Sequence, residues 1–433
     1  MGDPLYVQKG FGLKAQIQDL LQSDYHSQLV DVIRERGHRL TIAGPGGDVE
    51  LRLAKEFGFC YGVDRAVDLA YETRRHFPQK TIYITNEIIH NPYVNKRLVE
   101  LGVRFLDGQD GYGIEDVTQD DVVILPAFGV KTTVIDELRQ KGCVLVDTTC
   151  GSVMNVWRRV KQYAKDGLTS VIHGKYAHEE TQATASQATA LGGHYLVVRD
   201  EGEAQLVCDT ITGGPGALSA EAFVHKFKKA ISPGFDPAKH LERVGAANQT
   251  TMLSTESLHI AAMFGEAMRT RWGKDAGADR FRSFDTICSA TQDRQDAILA
   301  MGQEGGLDVI VVIGGYNSSN TINLSAMAGT FAPAFHIDGP DEIRSPGEIR
   351  HQPYGSKERV VAQGWLPAGP IVVGVTAGAS TPNRTIGEVM ARILEVRGID
   401  ASQLPATAGS APRPSLETRA MATPAGSREL PII

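Results

Sequence analysis

The chain has 433 residues, of which 42% are apolar, with a net charge of −7 at pH 7 and a pI near 6.0. Its length predicts more than one hydrophobic core, and its acidic balance argues against a nucleic-acid or anionic-membrane partner. No apolar run reaches the ~18 residues of a spanning helix and no apolar signal core occurs at the N-terminus, so we expect a cytoplasmic protein. The five cysteines, an odd number without short-range pairing, fit a reducing compartment better than a disulfide framework.

The first predicted element is an N-terminal extension over residues 1–48. Apolar residues at helical spacing, first around Leu20 and then around Val32, predict two short amphipathic helices. The alternating apolar residues of segment 49–53 then predict the first strand of the core.

From residue 49 onward, apolar strands alternate with helical patterns. Several strands, among them 121–125 and 309–313, are apolar throughout, which indicates parallel sheets covered on both faces. Segment 232–245 contains two prolines and is expected to be irregular, ending at the polar run 248–251. The alternation therefore predicts an α/β fold.

A recurring strand–cysteine–helix pattern divides the chain into three pseudo-repeated α/β units with small, mostly parallel sheets. We expect these units at 49–149, 150–287 and 288–397, and segment 49–60 could equally pack with the third unit. The tail 398–433 is rich in Ala, Ser, Thr and Pro, and this composition predicts disorder.

Three cysteines each follow a strand and precede a helical pattern. Cys150 and Cys288 end runs of the form Asp-Thr-x-Cys, and Cys60 occupies the same place in the first unit. Open α/β sheets build their sites at the carboxyl ends of strands, and a helix N-terminus lowers the pKa of a thiol. Three thiolates fit an iron–sulfur cluster with one iron free of protein ligands, whereas zinc is disfavoured because no Cys-x-x-Cys spacing occurs. The alternative is three buried structural thiols, as we interpret Cys143 and Cys208.

Side chains that can bind an anion also lie just past strands. Ser318, Ser319 and Asn320 open a helix, so their hydroxyls and backbone N–H groups can hold phosphate oxygens. His90, His178 and Ser380 occupy comparable places, although each alone is compatible with a capping or structural role. Together they predict a pocket for a multiply charged anion, and the lack of a Lys-bearing P-loop points away from nucleoside triphosphates.

Glu180 is the candidate proton donor, two residues after His178. A lone Glu on a loop is usually solvated. Beside a cluster and an anion pocket, and with Thr250 able to reach it from another unit, it becomes a candidate general acid.

These residues stand in motifs that resemble the IspH/LytB family of 4-hydroxy-3-methylbut-2-enyl diphosphate reductases. The matching motifs occur in the family's order and are GFCYGVDRA at 58–66, EIIHN at 87–91, DTTC at 147–150, HEET at 178–181, QTT at 249–251, NSSN at 317–320 and GVTAGAS at 374–380. The extension, with KGFG at 9–12, and PAFG at 126–129 are similar to the plant and cyanobacterial branch.

The resemblance implies three α/β units around a central iron–sulfur site, a 4Fe-4S cluster of which each chain has one, held by Cys60, Cys150 and Cys288. It implies an oxidoreductase that removes the hydroxyl of (E)-4-hydroxy-3-methylbut-2-enyl diphosphate and forms isopentenyl and dimethylallyl diphosphate. This is the last step of the methylerythritol phosphate pathway of isoprene biosynthesis, and reduced ferredoxin or flavodoxin is the implied electron donor.

The resemblance also implies residue roles. The substrate oxygen would bind the free iron, and Glu180, oriented with Thr250, would supply the proton that lets water leave. The residues implied to hold the diphosphate are His90, His178, Ser318, Ser319, Asn320 and Ser380. The chain departs from the family at Phe128, where many bacterial members have His, and at Gly151, where the family usually has Pro.

Two other functions fit three cysteines and an open iron. A hydro-lyase of the aconitase type would use the same ligand set without net redox chemistry and would need no reductant. A non-enzymatic iron–sulfur redox sensor would not need the His, Ser and Asn anion set, and its cluster spectrum would not respond to substrate.

Overall fold

Seventeen strands and fifteen α-helices make up the computed structural model over the residues that it describes, 5–106, 111–284 and 286–401. The strands are β1 Tyr6–Val7, β2 Arg39–Ile42, β3 Val49–Leu53, β4 Ile82–Ile84, β5 Val103–Phe105, β6 Val122–Leu125, β7 Val144–Asp147, β8 Thr169–His173, β9 Tyr195–Val198, β10 Val244–Asn248, β11 Phe281–Ser283, β12 Val309–Ile313, β13 Ala334–Ile337, β14 Ile343–Ser345, β15 Glu348–His351, β16 Val360–Gln363 and β17 Ile371–Ala377. The helices are α1 Lys14–Tyr25, α2 Gln28–Glu35, α3 Tyr61–His76, α4 Pro92–Glu100, α5 Thr132–Lys141, α6 Gly151–Lys165, α7 Glu179–Thr189, α8 Glu201–Thr212, α9 Ala220–Lys226, α10 Pro237–His240, α11 Ser254–Trp272, α12 Lys274–Asp279, α13 Ser289–Gln303, α14 Ser319–Ala328 and α15 Asn383–Val396.

Three sheets share one arrangement of four parallel strands. Their strand orders are β1-β7-β6-β4-β5, β11-β10-β8-β9 and β13-β12-β17-β3-β2. In the first, second and third sheet, the strand that precedes a cysteine is β7, β11 and β3, respectively. It pairs with β6, β10 and β17. The next strand is β4, β8 and β12, and the last of the four is β5, β9 and β13. All of these pairs are parallel. The predicted α/β class with small, mostly parallel sheets is confirmed.

The third sheet combines strands from both ends of the chain. β3 pairs in parallel with β17, so the strand before Cys60 lies beside strands from residues 309–377. The boundaries expected from the sequence, at 49–149, 150–287 and 288–397, stay predictions.

Continuous apolar strands face two cores at once. In β12, Val309, Val311 and Ile313 enter one core, and Ile310 and Val312 enter another on the opposite face. Successive side chains of a strand point to opposite faces, so a strand covered on both sides needs apolar residues throughout. Separate cores surround the first and second sheets, as the chain length predicts.

The N-terminal extension is built into the sheets. Its two predicted helices are α1 and α2, β1 adds to the first sheet, and β2 pairs antiparallel with β3 in the third. Tyr6 and Gln8 donate hydrogen bonds to Oδ2 of Asp147 at 2.7 and 2.8 Å. The extension therefore holds the carboxylate that begins the run Asp147-Thr148-Thr149-Cys150.

One expectation from the sequence needs correction, one sheet was not predicted, and one expectation lies mostly outside the described residues. Segment 232–245 is not irregular throughout, because it contains α10 and the start of β10, the central strand beside β8 and β11. The antiparallel sheet β14-β15-β16 was not predicted. Most of the tail expected to be disordered, residues 402–433, lies outside the described residues. Ile399, near the start of that tail, packs in the hydrophobic core beside the third sheet. Within the described ranges, no helix is long and apolar enough to cross a membrane.

Candidate active site

Each of the three cysteines caps a helix at the end of a strand. Cys60, Cys150 and Cys288 are the N-cap residues of α3, α6 and α13, all with extended backbone. Their backbone N–H groups donate to carbonyl oxygens in the loop after the neighbouring strand, namely those of Ala379, Ala127 and Thr250 at 3.2, 2.8 and 3.4 Å. The same contact in all three sheets places the three thiols equivalently.

The three thiols converge. A Cβ added to Gly62 would lie 2.4 Å from Sγ of Cys150 and 3.9 Å from Sγ of Cys60, so only glycine fits between these sulfurs. The charges of Cys60 and Cys150 both act on the thiol of Cys288 and raise its pKa. The structure thus brings together the three cysteines that the sequence singled out.

The expected lowering of the thiol pKa by the helix N-termini is wrong for two of the cysteines. Burial raises the pKa of Cys288 to about 12, and Cys60 and Cys150 add to the rise. Burial also raises the pKa of Cys150, with a further contribution from Cys60. Removal from water and repulsion between neighbouring thiolates raise the pKa more than the helix N-terminus lowers it. A bound cation would therefore be needed to keep these cysteines as thiolates.

The cysteines fit a polynuclear cluster better than a single ion. Among the described His, Cys, Asp and Glu residues, only His90, His178 and Glu179 have ligand atoms all within 4.8 Å of one another, so at least one pair of the three sulfurs lies farther apart than that. A single tetrahedral zinc ion, with Zn–S bonds of about 2.3 Å, would hold its sulfurs closer together. Three half-buried thiols that converge suit an iron–sulfur cluster.

Neighbouring side chains hold the cysteine loops. Oγ1 of Thr291 lies 2.8 Å from Sγ of Cys288, and its backbone N–H donates to the same sulfur at 3.3 Å. Arg65 donates to the backbone oxygens of Thr148 and Thr149 at 3.1 and 3.3 Å. Arg65 and Thr291 were not identified as support from the sequence. Cys143 and Cys208 lie in apolar cores, which agrees with their interpretation as bystanders.

Glu180 is buried in the first turn of α7, only 3% exposed, and is not on a loop. Thr250 donates to both of its carboxyl oxygens, from N–H to Oε1 at 2.6 Å and from Oγ1 to Oε2 at 3.0 Å. Burial raises the pKa of Glu180 to about 7, although the two hydrogen bonds from Thr250 act to lower it. A carboxyl group with this pKa is half protonated near neutral pH and can donate a proton.

Thr250 also connects Glu180 with a cysteine. Its carbonyl oxygen accepts the hydrogen bond from the backbone of Cys288, while its N–H and hydroxyl hold Glu180. Thr250 follows β10 and Glu180 follows β8, so both belong to the second sheet. The expectation that Thr250 reaches Glu180 from another unit is therefore wrong.

The predicted anion-binding residues follow equivalent strands of the three sheets. His90 comes after β4, His178 after β8, and Ser318, Ser319 and Asn320 after β12. The rings of His90 and His178 lie 5.1 Å apart, and Ser380, after β17, donates to the backbone oxygen of His90 at 3.2 Å. One end of the three sheets therefore gathers the whole predicted set.

Two buried side-chain nitrogens of this set lack hydrogen-bond partners among the described residues. They are Nε2 of His90 and Nδ2 of Asn320. The other atoms of these side chains are fixed: Nδ1 of His90 lies 2.9 Å from Glu87, and Oδ1 of Asn320 accepts from the backbone of Ala379 at 3.0 Å. A buried polar atom without a partner costs free energy, so the amide N–H of Asn320 suits an anion. Nε2 of His90 donates to the same anion only as part of an imidazolium ring, because Nδ1 already donates to Glu87.

The ring of Phe128 lies flat against His90, with ring centroids 4.7 Å apart and an angle of 10° between the planes. It also contacts His178 edge-on, at 6.4 Å. Phe128 cannot donate a hydrogen bond, so at this departure from the family's bacterial pattern it orients the imidazole of His90 by packing.

His90, His178 and Glu179 are close enough to suggest a metal site, but the hydrogen bonds argue against one. Nδ1 of His178 accepts from the backbone N–H of Glu180 at 3.2 Å. Burial lowers the pKa of His178 to about 3, so the ring is neutral and its proton resides on Nε2. That nitrogen is a hydrogen-bond donor, which suits a phosphate oxygen and not a metal ion.

Gln249 is a central residue that sequence reasoning did not select, although it begins the QTT motif. Its Oε1 accepts from N–H of Lys175 and from Oγ1 of Thr181, both at 3.2 Å. Its Nε2 donates to Oγ1 of Thr251 at 2.9 Å and to Oγ of Ser319 at 3.3 Å. All four hydrogen-bonding positions of the amide are used, so Gln249 fixes the second sheet's loops against Ser319.

Fold and site together define an α/β protein with a three-cysteine centre beside a buried carboxyl group and an anion pocket. The family model described as LytB protein matches residues 51–394. The chain belongs to the LytB protein family, and the resemblance found in its motifs is confirmed.

Relatives agree with this membership, and a solved structure supports the fold. The chain is 51% identical over 404 residues to a protein of Gloeobacter violaceus, covering 92% of this chain and 94% of the relative. It is 48% identical over 396 residues to a protein of Thermosynechococcus vestitus, covering 91% and 95%. Both are named 4-hydroxy-3-methylbut-2-enyl diphosphate reductase. The structure of the E-1-hydroxy-2-methyl-but-2-enyl-4-diphosphate reductase from Plasmodium falciparum matches with a TM-score of 0.58 at 19% identity, covering 83% of this chain and 94% of that one, and supports the fold.

Proposed function

We propose that the chain is a 4-hydroxy-3-methylbut-2-enyl diphosphate reductase of isoprenoid biosynthesis. It reduces (E)-4-hydroxy-3-methylbut-2-enyl diphosphate to isopentenyl and dimethylallyl diphosphate, the last step of the methylerythritol phosphate pathway. The observation that carries the proposal is the convergence of Cys60, Cys150 and Cys288 next to the buried pair of Glu180 and Thr250. Relatives that carry this name support it over nearly their whole length.

The reaction breaks one C–O bond and consumes two electrons and two protons. One proton leaves with the hydroxyl as water, and the second, with the two electrons, forms the new C–H bond of the product. The electrons come from a reduced ferredoxin or flavodoxin in the proposed cycle. We also propose that the enzyme is cytoplasmic.

The cofactor in this proposal is one 4Fe-4S cluster per chain, held by Cys60, Cys150 and Cys288. When bound, such a cluster supplies electrons and a Lewis-acidic iron free of protein ligands. Gly62 leaves room between two of the sulfurs, and Thr291 stabilises Cys288 through Sγ. Burial and the repulsion between neighbouring thiolates raise the pKa of Cys150 and Cys288, and a bound cluster would supply the positive charge that compensates both effects.

Glu180 is the proposed proton donor, since hydroxide is a poor leaving group and must depart as water. Its raised pKa keeps the proton available near pH 7, and Thr250 fixes the position of both carboxyl oxygens. The carboxyl group is buried, so it delivers the proton inside the site and bulk water does not compete.

The diphosphate would be held at the ends of the three sheets. Six side chains carry this role: His90, His178, Ser318, Ser319, Asn320 and Ser380. Neutral His178 donates through Nε2, and the unpartnered amide N–H of Asn320 finds an acceptor in a phosphate oxygen. The unpartnered Nε2 of His90 would join them as part of an imidazolium ring. Each hydrogen bond to a charged oxygen contributes about 1.5–3 kcal/mol.

An anaerobic turnover assay tests the function. The purified chain is given the allylic alcohol diphosphate with and without a low-potential reductant, and products are identified by mass spectrometry. The proposal predicts isopentenyl and dimethylallyl diphosphate only with reductant. Conversion without a reductant would indicate the hydro-lyase, and a cluster spectrum that does not respond to substrate would indicate the redox sensor.

A further inference from the structure

We propose that Lys175 is an additional substrate-binding residue, whose ammonium group binds the diphosphate and supplies a positive charge that no neighbouring carboxylate offsets. This inference rests on the proposed function and adds a residue to its substrate site. Lys175 follows β8 in the loop that leads to His178 and Glu180.

Lys175 is fixed at the anion pocket at both ends. Its Nζ lies 3.3 Å from Oγ of Ser319, and its backbone N–H donates to Oε1 of Gln249 at 3.2 Å. Its charge is also one of the causes, after burial, that lower the pKa of His178. The ammonium group therefore lies between Ser319 of the third sheet and His178 of the second.

The hydrogen bonds around Ser319 direct its hydroxyl proton outward. Oγ of Ser319 accepts from Nζ of Lys175 and from Nε2 of Gln249, each at 3.3 Å. A hydroxyl has two lone pairs and one proton, so the proton of Ser319 stays free to donate to an anion. An ammonium group has three protons, and Lys175 uses one of them on Ser319. Two remain for phosphate oxygens.

The pocket needs this charge. A diphosphate ester carries more than one negative charge at neutral pH, whereas His178 is neutral and the Ser and Asn side chains carry no charge. Glu87 lies 2.9 Å from one nitrogen of His90 and Glu179 lies 3.7 Å from the other, so carboxylates offset any positive charge on that ring. Lys175 supplies a cation that these carboxylates do not offset.

Lys175 has no carboxylate partner within 4.0 Å among the described residues, although it is half-buried. Burial lowers its pKa, which shows that the surroundings do not compensate the charge. Partly burying an ammonium group without a counter-ion costs free energy that an anionic ligand would recover. The diphosphate is the counter-ion that the substrate brings.

The test compares Lys175→Met with the wild-type holoenzyme, using inorganic diphosphate as the probe in anaerobic calorimetry. Loss of a hydrogen bond to a charged group predicts a Kd about 10- to 100-fold higher, and a KM raised by a similar factor with a smaller change in kcat. Lys175→Arg keeps the charge and should recover part of the affinity. Lys229→Met, at an exposed lysine of the second unit, is the matched control and should bind as the wild type does.

Iron content and thermal midpoint are measured first for each variant, and Lys175→Gln replaces Lys175→Met if the latter does not fold. If a folded Lys175 variant binds inorganic diphosphate with a Kd within twofold of the wild-type value, the proposed role of Lys175 is overturned, whatever the turnover of that variant. If the wild type binds inorganic diphosphate through Lys175 but does not reduce the allylic substrate, the inference stands and the proposed function fails.

Discussion

Thr250 donates hydrogen bonds to both carboxyl oxygens of Glu180, at 2.6 and 3.0 Å, while its carbonyl oxygen accepts from the backbone of Cys288. One residue thus positions the proton donor relative to a proposed cluster ligand. Glu180 is otherwise surrounded by protein, and burial is the first cause of its raised pKa. The geometry makes the protonation of Glu180 the step most open to experiment.

Glu180→Gln should lose most turnover and keep the cluster and the substrate. General acids contribute about 10²–10⁴-fold to rate, so kcat should fall within that range while KM changes little. Gln keeps the shape and can accept one of the hydrogen bonds from Thr250, but it has no acidic proton. Anaerobic steady-state kinetics with iron analysis measure both effects, and Glu201→Gln at an exposed site is the control. Wild-type turnover in Glu180→Gln would remove Glu180 from its role.

The value of kcat/KM should fall as pH rises above about 7. The pKa of Glu180 is raised to about 7, and only its protonated form can donate, so activity declines as the carboxyl group ionises. The same shift predicts that the folded state binds this proton more tightly than the unfolded state, whose Glu has a pKa of about 4.3. The free energy of unfolding should therefore decrease as pH rises from about 4.3 to 7. Glu180→Gln should remove this contribution, and an unchanged stability profile in that variant would contradict the raised pKa.

Thr250→Val should move the alkaline limb of the pH profile to higher pH. The hydroxyl of Thr250 lowers the pKa of Glu180, so removing it leaves burial less opposed and raises the pKa further. Loss of one hydrogen bond predicts a fall in kcat of up to about tenfold at pH 7. Thr250→Ser keeps the hydroxyl and should retain the wild-type profile. An alkaline limb that stays in place in Thr250→Val would show that another group titrates.

Cys288→Ser should lose the cluster, because a serine hydroxyl is a much poorer iron ligand than a thiolate. Cys143→Ser is the control, since its sulfur donates only to the backbone oxygen of Leu138 at 3.4 Å and a hydroxyl can do the same. Iron, sulfide and the visible spectrum of anaerobically purified protein are the measurements. A brown Cys288→Ser protein with full iron content would contradict the ligand set.

Strand ends and motifs could be read from the sequence, whereas β10 could not. Four of its five residues, Gly245-Ala246-Ala247-Asn248, have low strand propensity, yet the strand forms the middle of the second sheet. A Cβ on Gly245 would lie 2.5 Å from the ring of Tyr163, so the close approach of α6 requires small residues there. Tertiary packing decides this strand, and no local pattern records it.

The thiol pKa values and the role of Gln249 also lay beyond the sequence. A helix N-terminus can be recognised locally and predicts a lowered thiol pKa. Burial and the repulsion between converging thiolates, which raise the pKa, depend on the assembled fold. Gln249 contacts Ser319, which is 70 residues away along the chain. The one available signal for Lys175 was a cation just after strand β8, in a loop that also carries His178.

The most direct test of the account is a Mössbauer spectrum of the anaerobically purified, isotope-enriched protein, recorded with and without the allylic substrate. Three cysteines around a 4Fe-4S cluster leave one iron without a protein ligand. The account predicts that one iron of the four differs from the other three and that its signal alone shifts when substrate is added. Four equivalent irons that do not respond to substrate, or a single bound metal ion, would contradict it.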